Sequence, residues 1–379
     1  MQRQVPVRFV LMRGGTSKAV FLRAADLPRE PAARDRVILS IFGSPDPRQI
    51  DGLGGADILT SKVAIIGPPG RPDADLDYTF GQVSIREPVV DYDINCGNIS
   101  AAVGVYAVEE GLVHVREPVT RVRIHNTNTG RVLVAEVPVA DGAAQVEGDF
   151  AIDGVPGTGA RILLDYRETA GGATGSLLPT GHPVDELEVP ELGRRVAVSL
   201  VDIANLCAFV RADSVGWKGT EGPGELDGGA VAGLMAIKAA AARRVGLPPD
   251  GLVPILTVVS PPAAYVSYAT GQVVAADDLS LVARVVAGRP ATMHKAFPGT
   301  ASICTAVAAR LPGTVPFEVA RQKPPDVVTI GHPSGTLPVW VRLRGDGGTW
   351  QVEQAAYART ARRLAEGYTF VRRSVWPGA

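Results

Sequence analysis

DINCGNISAAVGVYAVEEG (93–111) places a cysteine directly ahead of a run that is apolar on every side. From Ile99 to Val108 the run has helical length and no polar face, and a helix without a polar face is a buried one. Turn and cap residues precede it, and Gly111 stops it. A second stretch of the same kind, ASICTAVAARLPG (301–313), follows KAFPGT (295–300) and stops at Pro312-Gly313. The two lie half a chain apart. This weak internal repeat predicts an α+β architecture: two similar β-rich halves, each wrapped round one buried helix.

The segments around these helices fit that plan. Forty-three glycines and 30 prolines cut the chain into short pieces rich in Val, Ile and Leu. VPVRFVLM, SKVAIIG, TRVRIHN, RVLVAEVPV, RRVAVSLVD, PILTVVS, DVVTIGH and PVWVRL read as strands, several with the alternation of a half-buried sheet. More ordinary helices are expected at DRVILSIFG (35–43), ELDGGAVAGLMAIKAAAARRVG (225–246) and DDLSLVARVVAG (277–288). The Gly-, Thr- and Pro-rich stretch 169–193 reads as the crossover between halves, giving domains 1–185 and 186–379.

Bulk properties narrow the function. A chain of 379 residues can hold two domains, each with a full core. It is 46% apolar and 20% charged, with a net charge of −1, which is globular composition without the basic stripe of a nucleic-acid binder. No apolar run is long enough for a membrane span, and MQRQVPVRFVLMRGG is too short and interrupted for a signal peptide. Three scattered cysteines make neither a disulfide framework nor a C-x-x-C pair, and the five histidines show no H-x-x-x-H spacing. The expectation is a cytoplasmic protein acting on a small molecule, with no metal and neither nucleic acid nor membrane as partner. The sequence is compatible with a homodimer.

The chemistry concentrates at the helix starts. A helix N-terminus leaves backbone N–H groups unpaired and carries about half a positive charge, so it receives carboxylates and stabilises charge that develops during proton abstraction. A thiol placed there is more reactive than an ordinary one. Cys96 therefore reads as an acid, base or thiolate, or else as small filler beside a cap at Asn98. MRGGTSKAVF (12–21) and DGLGGADILTSKVAII (51–66) each set Gly-Gly and Ser-Lys before an apolar run. Surface decoration accounts for most such lysines, but Lys62 runs at once into VAII, where desolvation would make its amine a usable base. Neither stretch is a P-loop, GLGG lacks a dinucleotide fingerprint's third glycine, and GHPSG (331–335) has the wrong spacing for a nucleophile elbow.

These residues, taken together, resemble a known family. MRGGTSK, QIDGLGG, LTSKVAI, NCGN, EEGLV, NTNTGRVLVAEVPV, PGTGARILLDY, TGSLLPTG, ICTAVAAR, IGHPSG and RTARRLAEGY stand much as in the 2-methylaconitate isomerase (PrpF) family, nearly end to end. The resemblance implies the diaminopimelate-epimerase-like fold: two pseudo-symmetric domains, each a curled mixed sheet around a central helix, with the active site in the cleft between them. It also implies cofactor-independent isomerases that move a proton on small unsaturated di- or tricarboxylates, such as 2-methylaconitate, methylitaconate and 4-oxalomesaconate. The family's catalytic lysine falls on Lys62 and its active-site cysteine on Cys96, and Ser17 of the GGTSK loop is implied to touch substrate.

Three positions depart from the family pattern. Ala19 and Ala301 stand where glycines are usual, and ANLCAF (204–209) replaces a usual N-P pair. The fold's two-thiol epimerases carry a second cysteine near Thr300. Here the nearest thiol, Cys304, is one turn further in, which disfavours two-cysteine racemisation. The reading that follows has Lys62 removing an allylic or α proton. The enolate is held by N–H groups of Asn95, Cys96, Gly97 and Asn98 and of Thr300, Ala301 and Ser302. Lys62 or Cys96 returns the proton, and Arg13 and Lys295 pair with carboxylates. The rivals are a keto–enol tautomerase of an oxo-tricarboxylate and a non-catalytic small-acid binding protein.

Overall fold

The computed structural model describes residues 4–92, 96–226, 228–287, 291–322, 326–346 and 349–377. The chain forms two compact units, Met1–Leu164 with Ala358–Ala379, and Asp165–Tyr357. The division thus falls at Leu164/Asp165 rather than 185/186, and the last segment of chain returns to the first unit.

In chain order the first unit holds β1 (Gln4–Gly14), β2 (Ser17–Arg23), α1 (Pro31–Phe42), β3 (Lys62–Gly67), β4 (Leu76–Val83), β5 (Val90–Asp91), α2 (Gly97–Glu109), β6 (Val119–Asn126), β7 (Arg131–Ala140), β8 (Ala143–Ala144) and β9 (Ile162–Asp165). The second holds β10 (Asp185–Val189), β11 (Arg194–Ile203), β12 (Asn205–Arg211), α3 (Gly228–Arg244), β13 (Ile255–Ser260), β14 (Tyr265–Val266), β15 (Val273–Val274), β16 (Leu281–Ala287), β17 (Thr292–Met293), α4 (Gly299–Ala308), α5 (Val315–Val319), β18 (Val327–His332), β19 (Gly335–Asp346) and β20 (Thr349–Arg359). The last strand, β21 (Ala361–Arg372), pairs antiparallel with β1 along its length.

Both units use one connection plan. In the first, β1 pairs antiparallel with β2, β2 parallel with β3, β3 antiparallel with β4, β4 parallel with β6 and β6 antiparallel with β7. In the second the same sequence of senses runs through β11, β12, β13, β16, β18 and β19. Parallel neighbours need a crossover, and a helix supplies it each time. Helices α1 and α3 fill the first crossover of their unit, and α2 and α4 fill the second.

The two second-crossover helices are the apolar ones. Every residue of α2 from Ile99 to Val108 is buried. The helix packs against β1, β2 and β21 and also against β6, β7 and β8, strands from both ends of one ladder, so the sheet curls around it. At Gly104 it approaches β7 so closely that a Cβ would lie 2.6 Å from that of Ala135. Gly111, at φ +64°, ends it by letting the Leu112 N–H reach back to the Ala107 carbonyl at 2.9 Å. Helix α4 is buried from Ala301 to Ala308 and packs on β11, β12, β18 and β19.

One expected helix is a strand. Within DDLSLVARVVAG, Leu281–Ala287 forms β16, buried between β13 and β18. A short apolar run with four valines and leucines in a row of seven suits the centre of a sheet, and periodicity alone does not separate that from a buried helix. Helix α1 begins at Pro31, ahead of the expected 35–43, because the Glu30 carboxylate caps it by accepting from the N–H groups of Ala32 and Ala33. The crossover stretch 169–193 is ordered and includes β10: in its first part the Asp202 carboxylate accepts from the N–H groups of Ala173 and Thr174 and from the Thr174 hydroxyl, at 2.7–2.8 Å. GHPSG is the hairpin turn joining β18 to β19.

Candidate active site

Lys62 is the first residue of β3, and its register partner on β4 is Gln82. Directly opposed residues of neighbouring strands face the same side of a sheet, so the two side chains meet. The Lys62 Nζ donates to Gln82 Oε1 at 2.6 Å and lies 5.3 Å from the centre of the Phe80 ring. The lysine is only 6% exposed. Burial lowers its amine below the ordinary lysine range, with Cys96 and then Asp57 pulling the other way. It has no carboxylate partner within salt-bridge distance among the described residues.

Cys96 is itself the N-cap of α2, in extended backbone, and its half-buried thiol makes no capping hydrogen bond. The cap carbonyl accepts from the Ser100 N–H at 3.0 Å and the Ser100 hydroxyl at 3.1 Å. Intrahelical bonding therefore begins at Ser100, and the N–H groups of Gly97, Asn98 and Ile99 have no partner within the helix. The Asn98 side chain is not a cap. Its Nδ2 donates to the Thr16 hydroxyl at 3.0 Å, and its Oδ1 accepts from Arg359 Nε at 2.9 Å.

The Gly-Gly pair of MRGGTSK explains itself against this helix start. A Cβ on Gly14 would lie 2.3 Å from the Asn98 carbonyl oxygen, and one on Gly15 would lie 2.2 Å from its Oδ1. Gly15 also has φ +51°. Only glycine brings the β1–β2 turn this near α2. The turn sets Ser17 at the first position of β2, buried, with a hydroxyl that has no hydrogen-bond partner among the described residues. Arg13 serves the turn: its Nη1 donates to the carbonyls of Gly15 and Thr360 and to the Thr360 hydroxyl at 2.9–3.0 Å.

In the second unit, Pro298 is the N-cap of α4 and Gly299 its first residue. The Ser302 N–H already donates to the Pro298 carbonyl at 2.9 Å, and its hydroxyl to Gly299 O at 2.7 Å. The N–H groups without an intrahelical partner are thus those of Gly299, Thr300 and Ala301, one residue earlier than the expected Thr300–Ser302. The Thr300 hydroxyl accepts from Asn205 Nδ2 at 2.7 Å, which gives the ANLCAF segment a role in fixing the helix start. Ala301 is fully buried. Gly299 lies so near Tyr357 that a Cβ would meet its hydroxyl at 2.8 Å. That hydroxyl is 3.3 Å from the hydroxyl of Tyr166. Lys295 is exposed and stands 5.8 Å over the Tyr268 ring. Cys304 is wholly buried, donates to the Val201 carbonyl at 3.1 Å, and has its pKa raised by that burial, as an inert structural thiol does.

In the first unit, therefore, Lys62 stands near enough to Cys96 to feel its charge, the β1–β2 turn that carries Arg13 and Ser17 presses on Asn98, and Gly97 lies between Cys96 and Asn98. Asn95 lies outside the described residues. Sequence reasoning passed over Gln82, Arg359, Asn205 and the Tyr166–Tyr357 pair, each of which meets its partner across strands or across a long separation in the chain. Among the described residues no group of three His, Cys, Asp or Glu side chains could hold a metal, and no helix is long and apolar enough to cross a membrane.

The chain as a whole is similar to known proteins. The model of the family described as PrpF protein matches residues 3–372. The chain is 50% identical to the 3-methylitaconate isomerase of Eubacterium barkeri over 99% of both chains. It is 39% identical to the 2-methyl-aconitate isomerase of Shewanella oneidensis over 97% of both. The crystal structure of a methylitaconate-delta-isomerase is similar at a TM-score of 0.90 and 48% identity, covering 100% of this chain and 98% of that one.

Proposed function

Because the chain belongs to the PrpF family of isomerases, we propose that it moves a proton between allylic carbons of a small unsaturated di- or tricarboxylate of the methylitaconate or methylaconitate kind. One observation carries the reading: a buried lysine amine whose hydrogen-bond acceptor is an uncharged amide rather than a carboxylate. Such an amine is free to take a proton.

The step balances without a co-reactant. The Lys62 lone pair takes the allylic proton, and the electrons of the broken C–H bond spread through the double bond into a carboxylate as an extended enolate. The Lys62 ammonium then protonates the far carbon, or the Cys96 thiol does and its thiolate takes the proton held by Lys62, and the double bond has moved. Charge building on the enolate is met by the N–H groups at the start of α2, with Ser17 and Asn98 beside them. In the second unit, the N–H groups left free at the start of α4, those of Gly299, Thr300 and Ala301, are proposed as a receptor for a carboxylate. Arg13 and Lys295 add positive charge.

The test is proton NMR of 3-methylitaconate, 2-methylaconitate, aconitate and oxalomesaconate with the enzyme in deuterated water. The proposal expects turnover of at least one acid with deuterium entering at an allylic carbon. It also expects at least a tenfold loss in kcat/KM, about 1.4 kcal/mol, when one carboxylate of that substrate becomes an amide. Absence of both exchange and turnover across the panel would contradict it and favour a binding protein.

A further inference from the structure

We propose that Gln82 is the positioning residue for Lys62, holding the amine in place through a neutral acceptor so that it can pass between its free and protonated forms. The inference rests on Lys62 being the base.

The amide of Gln82 has one possible orientation. Its Nε2 donates to the Ser61 carbonyl at 2.8 Å and to the Ile58 carbonyl at 3.2 Å. Carbonyl oxygens only accept, so the NH₂ group must face them, and Oε1 is left to receive Lys62. The platform is itself fixed. Ser61 donates its hydroxyl to the Val83 carbonyl at 2.9 Å, and its own carbonyl also accepts from the Val83 N–H at 3.1 Å. Behind Ser61 stands Gln49, almost fully buried, whose Nε2 donates to the Ser61 hydroxyl at 2.8 Å and to the Ser44 hydroxyl at 3.0 Å. The Gln49 Oε1 accepts from the Ala56 N–H at 2.8 Å.

This chain of contacts accounts for the DGLGG motif. A Cβ on Gly54 would lie 2.2 Å from the Gln49 side chain, and one on Gly55 would lie 2.2 Å from the Thr60 hydroxyl. The glycines let the loop close over Gln49, Gln49 fixes Ser61, and Ser61 fixes Gln82. The loop builds the socket of the base.

The acceptor's neutrality is the functional point. A carboxylate at residue 82 would hold Lys62 as its ammonium and silence it near neutral pH. An apolar side chain would leave the amine unanchored and without help in its charged form. An amide avoids both faults. It offers a carbonyl dipole to the amine and gains from it more when the ammonium forms.

Two substitutions should therefore move the pH profile in opposite directions. Activity rises with pH as Lys62 loses its proton. In Gln82→Glu the rising limb of kcat/KM should shift up by at least about one pH unit, with kcat at pH 7 reduced at least tenfold and recovering at higher pH. In Gln82→Leu the limb should shift down, with kcat reduced at all pH values and KM within a few-fold of wild type. Gln82→Met, which keeps the unbranched stem, replaces Leu if that variant does not fold by near-ultraviolet circular dichroism. If both substitutions leave the limb in place while Lys62→Met is inactive, the Gln82 inference is overturned. If Lys62→Met is itself active, the base assignment falls instead.

Discussion

Glu110 follows α2 at the end where the helix dipole works against a carboxylate. The guanidiniums of Arg8, Arg23 and Arg363 close on it at 2.6–3.0 Å. Led by the Arg8 hydrogen bond, they hold its carboxyl down at about 2 from an ordinary 4.5. A depressed folded-state pKa gives stability that is present above the unfolded value and lost as pH falls through the folded one. Glu110→Gln should therefore destabilise the protein by about 1–3 kcal/mol at pH 7, from the charged hydrogen bonds removed. The gap from wild type should narrow as pH drops below about 4.5 toward 2. Urea unfolding of both proteins across that range measures it, and a gap that ignores pH would rule the cluster out as its source. The burial of Lys62 and the place of Cys96 at a helix start were legible at this scale because each breaks a local pattern: a lysine entering an apolar strand, a thiol ahead of an apolar helix. Gln82 and Arg359 were not, since neither stands out until strand register and the return of the chain set them beside Lys62 and Asn98.

Among the elements, α2 carries the greatest constraint, because its apolar face is its whole circumference. Gly104 shows how tightly it is held. Alanine is the better helix former by about 0.5–1 kcal/mol. Its methyl would nevertheless sit 2.6 Å from the Cβ of Ala135 and 2.9 Å from Val137. Overpacking of this kind costs typically about 1–3 kcal/mol. The clash should outweigh the propensity, so Gly104→Ala is expected to lower the urea midpoint with an unchanged m-value, and an unaltered or raised midpoint would show that β7 yields. Most elements could be read from the sequence. The miss at 277–288 has a definite cause: the side chains of β16 are buried on both faces of the sheet from Leu281 to Val286, so its residues show no alternation.

Over the whole molecule, the repeat of two apolar helices foretold two units that share one order of strand pairings. The boundary between the units and the return of β21 to β1 were beyond sequence reading. The register Gln4 to Arg372 joins the two ends of the chain, and no local signal specifies so distant a pairing. The central functional claim, by contrast, rests on one nitrogen atom. Its most direct test is deuterium incorporation into the turned-over acid by wild type and by Lys62→Met, a substitution that keeps the apolar stem and removes the amine. The account predicts that the folded variant loses exchange and turnover by about 10²–10⁴-fold, the cost of removing a positioned base. Exchange within a few-fold of wild type would contradict it.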